Sequence, residues 1–187
     1  MENAELIFFS KEFAVEKLQY TRSPMKKICL FFVFACMCIP AVAQLTAKAN
    51  CPVFEVDILD GKVNGFKASA TNAEIKTKFP CFTSAAEPQD SAKCGTHVFY
   101  KDRDLYFYTD RDYIEIGPQF KGKLSVPLIG ATRSSLFKTL GNPKIKDTNW
   151  EAYTTNYGIL VLHFDAAGKV NKIQMSTQNA NTLQLCN

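Results

Sequence analysis

The side chains best suited to catalysis are His97 and His163, which are the only two histidines in the chain. A Ser-His-Asp or Cys-His site would need one of them beside a nucleophile, and the sequence contains no nucleophile-elbow motif. His163 alternates with Ile159 and Val161, a pattern typical of a packed or exposed strand residue. We therefore predict no catalytic residues and no enzymatic activity. A small hydrolase remains as a third functional alternative.

Clustered carboxylates suggest calcium binding or paired acid chemistry. Four aspartates flank two turns, with Arg103 and Arg111 among them: Asp102, Asp104, Asp110 and Asp112. Such mixed turn charges are more typical of solvated loops than of a metal site. The chain has no Cys-x-x-Cys pair, and neither histidine stands at a ligand spacing from two cysteines. The sequence therefore predicts neither a metal nor a cofactor.

The N-terminal region has the three-part order of a secretory signal peptide at residues 25–43. Met25-Lys26-Lys27 is basic, residues 28–39 are apolar, and Ala41-Val42-Ala43 places small residues before Gln44. The apolar run is shorter than the ~20 residues of a membrane-spanning helix. We expect cleavage between Ala43 and Gln44, no transmembrane anchor, and a periplasmic or secreted location in a bacterium. Residues 1–24 are interpreted as a non-native upstream extension.

A second processing site is an alternative. The segment that ends at Cys36 resembles a lipoprotein cleavage box, in which case Cys36 would carry lipid. Lipidation would favour a different function, namely a cell-envelope assembly or scaffold subunit.

Cleavage at Ala43 leaves four of the seven cysteines, in a domain of residues 44–187. An even number in an exported domain indicates disulfides, and three pairings are possible. We predict Cys81–Cys94, which closes a short polar loop, and Cys51–Cys186, which ties the two ends of the domain together.

Charge argues against nucleic acid as a partner. The formal net charge is +4, from 22 Lys and Arg against 18 Asp and Glu. Positive and negative charges are interspersed along the chain and form no basic stripe of the kind that nucleic-acid-binding domains usually have.

Two short helices would position the candidate residues. Residues 71–80 and 132–141 each begin with Thr at an N-cap position, carry apolar residues four and eight positions later, and end at a helix breaker. Polar loops follow each helix. Aromatic and β-branched runs, separated by turns rich in Asp, Asn and Gly, then predict antiparallel hairpins. These predicted strands are residues 97–100, 105–109, 113–116, 150–155, 159–164 and 169–175, with an earlier strand at 54–59.

This order predicts an α+β fold. Two tandem repeats of one helix and three strands, at about residues 54–116 and 128–175, would form one antiparallel sheet with both helices on one face.

The second repeat resembles a known family. It reads Gly-x-Thr at 130–132, a helix, Leu-Gly-x-Pro at 140–143, Trp-x-x-Tyr at 150–153, a strand ending in Phe-Asp, and Gly-x-Val at 168–170. This pattern is similar to one repeat of the β-lactamase-inhibitor-protein-like fold, which small outer-membrane assembly lipoproteins share. The resemblance covers residues 128–175 well and 66–116 weakly, with Pro80 where the pattern has Gly.

The resemblance implies binding rather than catalysis. Family members bind proteins through the open face of the sheet and its loops, and no catalytic residue set comes with the fold. A cysteine pair such as Cys81 and Cys94, bridging a helix–strand loop, also resembles the inhibitor proteins. By the same analogy, Trp150, Tyr153 and Phe164 are expected to pack in the core against the second helix.

The predicted contact residues are Tyr106, Tyr108 and His163. Aligning Asp110 with Asp165 places Leu105 and Phe107 under the helices and turns these three side chains to the other face. A shift of one residue would reverse that assignment. Tyrosine is common in contact surfaces because it combines apolar area with a polar tip. The sequence therefore predicts an exported, non-catalytic module that binds a protein or other envelope partner through its sheet face.

Overall fold

The computed structural model describes residues 50–88 and 93–186. The predicted upstream extension, the signal peptide with its Ala43–Gln44 cleavage site, and Cys36 lie outside these residues. Two helices are described, α1 (Asn72–Lys78) and α2 (Arg133–Leu140). The strands, in chain order, are β1 (Glu55–Asp57), β2 (Lys62–Val63), β3 (Phe66–Lys67), β4 (Ser84–Ala86), β5 (His97–Tyr100), β6 (Leu105–Tyr108), β7 (Tyr113–Ile116), β8 (Lys123–Leu124), β9 (Ile145–Lys146), β10 (Trp150–Thr155), β11 (Gly158–Phe164) and β12 (Val170–Ser176).

The strands form two sheets. The larger is antiparallel throughout, with the order β4-β5-β6-β7-β12-β11-β10-β9. The smaller is mixed, with the order β3-β2-β1-β8, because β1 pairs in parallel with β8 and antiparallel with β2. At the centre of the larger sheet, β7 pairs with β12 and joins strands that are about sixty residues apart in the sequence.

Local sequence signals explain both helices. Thr71 caps α1 by a capping box, in which its hydroxyl accepts the Glu74 N–H and the Glu74 carboxylate accepts the Thr71 N–H at 2.8 Å. Thr132 stands at the N-cap of α2, and Gly141 ends that helix with a φ of 74°. Both predicted helices and their apolar residues are confirmed. Ile75 and Leu136 are buried against the larger sheet.

The main core lies between one face of the larger sheet and a layer made of the helices and the smaller sheet. An aromatic group links these layers. Phe54 packs edge-on against Phe79 and Tyr100, with ring centroids 5.2 and 4.9 Å away. The Tyr100 hydroxyl donates to the Phe79 carbonyl at 2.7 Å, so its one polar group is satisfied inside the core. We call the helix-covered face of the larger sheet the inner face and the opposite side the outer face.

The predicted architecture of two helix-plus-three-strand repeats is wrong. The chain is mostly β, with an eight-stranded antiparallel sheet, a separate four-stranded mixed sheet and only two short helices in the described part. Of the strands that the prediction lacked, β4 has three residues and β2, β3, β8 and β9 have two. A segment of that length shows no alternation, so its pairing follows from tertiary contacts rather than from local pattern.

The cysteines of the domain form two disulfides, but the predicted pairing of Cys81 with Cys94 and of Cys51 with Cys186 is wrong. Cys51 pairs with Cys81, and Cys94 pairs with Cys186. The reason is the pairing of β4 with β5, in which Ser84 lies opposite Phe99 and Ala86 opposite His97. Cys81 and Cys94 precede these two antiparallel strands and so lie at opposite ends of the pair.

None of the helices within residues 50–88 and 93–186 is long and apolar enough to cross a lipid bilayer. Two disulfides in one domain are consistent with an extracellular or otherwise oxidising location.

The disulfide pairing can be tested by peptide mapping, because Lys93 separates Cys81 from Cys94. Digestion of the unreduced protein with trypsin should release residues 49–62 linked to 79–93, and residues 94–101 linked to 173–187. Mass spectrometry identifies each linked pair, and reduction of the same sample is the control. A link between 79–93 and 94–101 would contradict the structure.

Candidate functional site

The predicted contact residues lie on the outer face of the larger sheet. Along β6, Leu105 and Phe107 are completely buried in the main core, whereas Tyr106 and Tyr108 alternate with them and are partly buried on the other side. His163 is on this side too, because Leu162 belongs to the main core. The alignment that turned the three side chains outward therefore agrees with the structure, and the one-residue shift does not.

The three residues do not form one cluster. Strands β7 and β12 lie between β6 and β11, so Tyr106 and His163 are separated by three strand spacings, or about 14 Å. Tyr106 and Tyr108 belong to an aromatic group on one half of the outer face. His163 belongs to a pocket on the other half.

A chain of hydrogen bonds crosses the two strands between these halves. The Gln174 amide donates to the Glu115 carboxylate at 2.7 Å, and its carbonyl oxygen lies 2.7 Å from Nε2 of His163. The Lys172 ammonium lies 3.6 Å from the Glu115 carboxylate and compensates its negative charge. Because a carboxylate accepts only from the NH₂ group, the amide oxygen must point at the imidazole. The network therefore assigns the proton of the neutral His163 ring to Nε2.

Electrostatics keep His163 in the neutral form. Burial lowers the pKa of His163 below its ordinary value, and Lys172 acts in the same direction, while Gln174 and Glu115 oppose the shift. In the neutral ring with its proton on Nε2, Nδ1 is a hydrogen-bond acceptor. Among the described residues, Gln174 is the hydrogen-bond partner of this ring, and it uses Nε2.

The aromatic half of the outer face comprises His97, Phe99, Tyr106, Tyr108 and Tyr113. His97 stacks on Phe99 at 3.9 Å, both β6 tyrosines pack edge-on against Phe99 at 5.2 and 5.1 Å, and Tyr108 stacks on Tyr113 at 4.4 Å. Burial raises the pKa of Tyr106 to about 12, with a smaller contribution from its hydrogen bond to Asp104. Tyr106 and Tyr108 are partly exposed and present mainly apolar ring area, whereas Tyr113 is completely buried.

The C-terminal segment, residues 177–186, is held on the outer face at several points. The Cys94–Cys186 disulfide fixes its end, and the Cys186 N–H donates to the Tyr113 hydroxyl at 3.0 Å. The Arg111 guanidinium donates to the carbonyls of Gln184 and Leu185 at 3.4 and 3.5 Å. Leu183 of the segment packs on the outer side of β10 and β11, and a space remains between the segment and these strands.

That space is a pocket of about 390 Å³ between the outer face and the C-terminal segment. It is partly open to solvent. Its lining is Ile145, Trp150, Ala152, Ile159, Val161, His163, Ala180, Leu183 and Leu185. His163 is the one side chain of this lining that can ionise, and the other side chains are apolar apart from the indole N–H of Trp150.

The expected core position of Trp150 is wrong, whereas Tyr153 and Phe164 are in the main core as predicted. Trp150 packs with Ala152, Ile159, Val161 and Leu183 in a second apolar cluster on the outer face. The reason is strand geometry: Trp150 and Tyr153 are three residues apart in β10, so they point to opposite faces. Strict alternation along this strand would have identified Trp150 as an outer-face residue.

The pocket residues of the C-terminal segment gave no sequence signal. Ala180, Leu183 and Leu185 are isolated apolar residues in a polar, irregular stretch. The disulfide to Cys94 and the contacts of Arg111 and Tyr113 hold the end of the segment, and the packing of Leu183 on the outer-face cluster places it over β11.

A second ionisable cluster lies on the inner face, beneath α2. The Glu151 carboxylate accepts from the Tyr153 hydroxyl at 2.7 Å and pairs with Arg133 at 3.5 Å and Lys146 at 3.9 Å. The Arg133 guanidinium also lies 4.2 Å from the Phe164 ring centroid. Each charge in this cluster has a partner, so its role is to fasten α2 to β10.

The other residues considered for catalysis or metal binding are His97 and the turn aspartates, and their contacts are structural. Nδ1 of His97 lies 3.0 Å from the Gly95 carbonyl. Asp104 and Asp112 adopt left-handed conformations at turns, with φ of 56° and 48°, which Asp tolerates well. Within residues 50–88 and 93–186, no group of three or more His, Cys, Asp or Glu side chains is placed to hold a metal ion.

Comparison of the chain with protein-family models, with characterised proteins and with solved structures finds no match. The predicted resemblance to the β-lactamase-inhibitor-protein-like family therefore stays a prediction.

The two histidines should differ in tautomer, which provides an internal comparison. His97 faces a carbonyl oxygen with Nδ1 and must carry its proton there, whereas His163 faces the Gln174 carbonyl with Nε2. Nitrogen-15 NMR at neutral pH should show a protonated Nε2 in His163 and a protonated Nδ1 in His97. Gln174→Leu should remove the preference in His163 and leave His97 unchanged. The same tautomer in both rings would contradict the network.

The lowered pKa of His163 also predicts a pH dependence of stability. As the pH falls, the unfolded chain takes up a proton on this residue first, at about pH 6.5. The contribution to stability is therefore complete above that pH and is lost as the pH falls through the lower pKa of the folded protein. Urea unfolding from about pH 8 to pH 5 should show a smaller loss in His163→Gln than in the wild type. Equal losses in the two proteins would contradict the shift.

Proposed function

We propose that the protein is an exported binding module without a catalytic step, and that it takes up an apolar group of its partner in the outer-face pocket. The observation that carries this proposal is the pocket itself. About 390 Å³ falls within the range of ~300–1,000 Å³ that is usual for ligand sites. An apolar lining with one well-placed polar group is also the usual composition of such sites.

The wall of the pocket that the C-terminal segment provides is anchored by specific contacts. A covalent bond, a guanidinium and a tyrosine hydroxyl fix the C-terminal segment at its far end. A lining fixed in this way loses little conformational freedom on binding, which favours affinity.

The aromatic half of the outer face would extend the contact. Tyr106 and Tyr108 lie on the same face as His163, are partly buried and remain accessible in part. Partly exposed tyrosines add apolar contact area at a low cost in conformational entropy. The proposed contact surface therefore has two parts on the same face, His163 in the pocket and the two tyrosines about three strands away.

An exported location supports a partner in the cell envelope or outside it. The two disulfides need an oxidising compartment to persist, and the sequence predicts a signal peptide at residues 25–43. The partner would be a protein or another component of the periplasm or the surroundings of a bacterium. The predicted family resemblance, with binding at the open face of the sheet, points to the same surface.

Pocket binding can be measured with N-phenyl-1-naphthylamine, an uncharged dye that fluoresces in apolar sites. The oxidised protein should bind the dye, with energy transfer from Trp150, the only tryptophan in the chain. Ala180 is exposed and lines the pocket, so Ala180→Phe should fill the space without disturbing the core. Dye affinity should fall roughly fivefold to a hundredfold, since overpacking a site costs ~1–3 kcal/mol.

The matched control is Ala166→Phe, which makes the same change at an exposed turn residue between β11 and β12. It should leave dye binding unchanged. Equal binding by wild type and Ala180→Phe would show that the dye binds elsewhere, and no binding by the wild type would sink the proposal.

A further inference from the structure

We propose that the outer-face pocket selects an uncharged, mainly apolar molecule with one hydrogen-bond donor, such as a phenol, and that this donor binds Nδ1 of His163. The inference rests on the proposed function, because it names the class of ligand for the same pocket. Three observations carry it: the lining, the orientation of the imidazole, and the charges around the imidazole.

The side chains that line the pocket determine the polarity of most of the ligand. Eight of the nine lining residues are apolar, and they come from both the sheet and the C-terminal segment. Ile159 and Val161 form the floor on β11, and Trp150 flanks them on the neighbouring strand. A polar ligand surface would lose its hydration against these walls without compensation, so the ligand must be mainly apolar.

The imidazole sets the polar group of the ligand. Gln174 occupies Nε2, and the Glu115 carboxylate holds the Gln174 amide in place, so turning the ring would break its hydrogen bond to an acceptor that cannot follow it. The nitrogen left for a ligand is Nδ1, which accepts in the neutral ring. A hydroxyl or N–H group on the ligand is the matching chemistry, whereas an ether or ketone has no proton to offer.

The surrounding charges exclude an ionic ligand. The charged groups that face His163 are Glu115 on β7 and Lys172 on β12, and they pair with each other at 3.6 Å. The C-terminal segment contributes only Ala180, Leu183 and Leu185 to the lining. A carboxylate or an ammonium group in the pocket would therefore lack a counter-charge, and burying an unpaired charge is costly.

Three matched compounds test the inference: 4-butylphenol, 4-butylanisole and 4-butylbenzoate. All three share the butylphenyl group. The phenol has a hydrogen-bond donor, the anisole has none, and the benzoate carries a negative charge. Quenching of Trp150 fluorescence reports occupancy directly, because this single tryptophan lines the pocket. In the wild-type protein, the phenol should bind about twofold to tenfold more tightly than the anisole, as one neutral hydrogen bond provides. The benzoate should bind more weakly than both.

His163→Leu should lower the affinity for the phenol to that for the anisole and leave the affinity for the anisole unchanged. His97→Leu is the matched control, since His97 is the other histidine and lies outside the pocket, and it should preserve the difference. If His163→Leu does not fold, a pH titration of the wild-type protein replaces this variant. The phenol-to-anisole affinity ratio of the wild type must then fall in step with the protonation of His163 followed by NMR.

The two proposals can fail separately. Equal affinities for phenol and anisole, with both lost in Ala180→Phe, would overturn the donor inference and leave the pocket as a binding site. Tightest binding of the benzoate would overturn the exclusion of charge. Failure of all three compounds and of the naphthylamine dye would sink the proposed function together with the inference.

Discussion

The antiparallel pairing of β7 with β12 is the constraint on which the rest of the structure depends. Ile116 lies opposite Ile173 and Ile114 opposite Met175, and all four side chains are completely buried on the inner face. The same register places Glu115 opposite Gln174 on the outer face. A slip of one residue would turn these isoleucines toward the outer face and bring the polar pair into the core. The hydrophobic core thus fixes the register, and the register aligns the hydrogen-bond chain that orients His163.

The second constraint is covalent. The Cys94–Cys186 disulfide spans 92 residues and ties the C-terminal segment to the start of β5, on the aromatic half of the outer face. Loops of this length lose much chain entropy on closure, so the chain-entropy model assigns such a bond about 4.6 kcal/mol of stabilisation. The position of this disulfide matters more here than the stabilisation that it provides. The segment that it holds supplies one wall of the pocket, while β9, β10 and β11 supply the others.

Local signals in the sequence were reliable where an element could be read from its own residues. The N-cap threonines predicted both helices, and the alternation of Leu105, Tyr106, Phe107 and Tyr108 predicted which side of β6 is buried. Signals failed where an element depends on a distant partner. Two-residue strands such as β2 and β9 have no pattern to detect. The pairing of β4 with β5 carries Cys81 and Cys94 apart, although only thirteen positions separate them in the sequence.

By itself, the sequence determined the helices, the longer strands, their inward and outward faces and the number of cysteines available to the domain, because these follow from short-range periodicity and composition. Tertiary structure alone decided the strand order, the division into two sheets and the partner of each cysteine. It also brought Leu183 over β11. Long-range contacts set these features, and one sequence specifies such contacts only through the packing of the complete core.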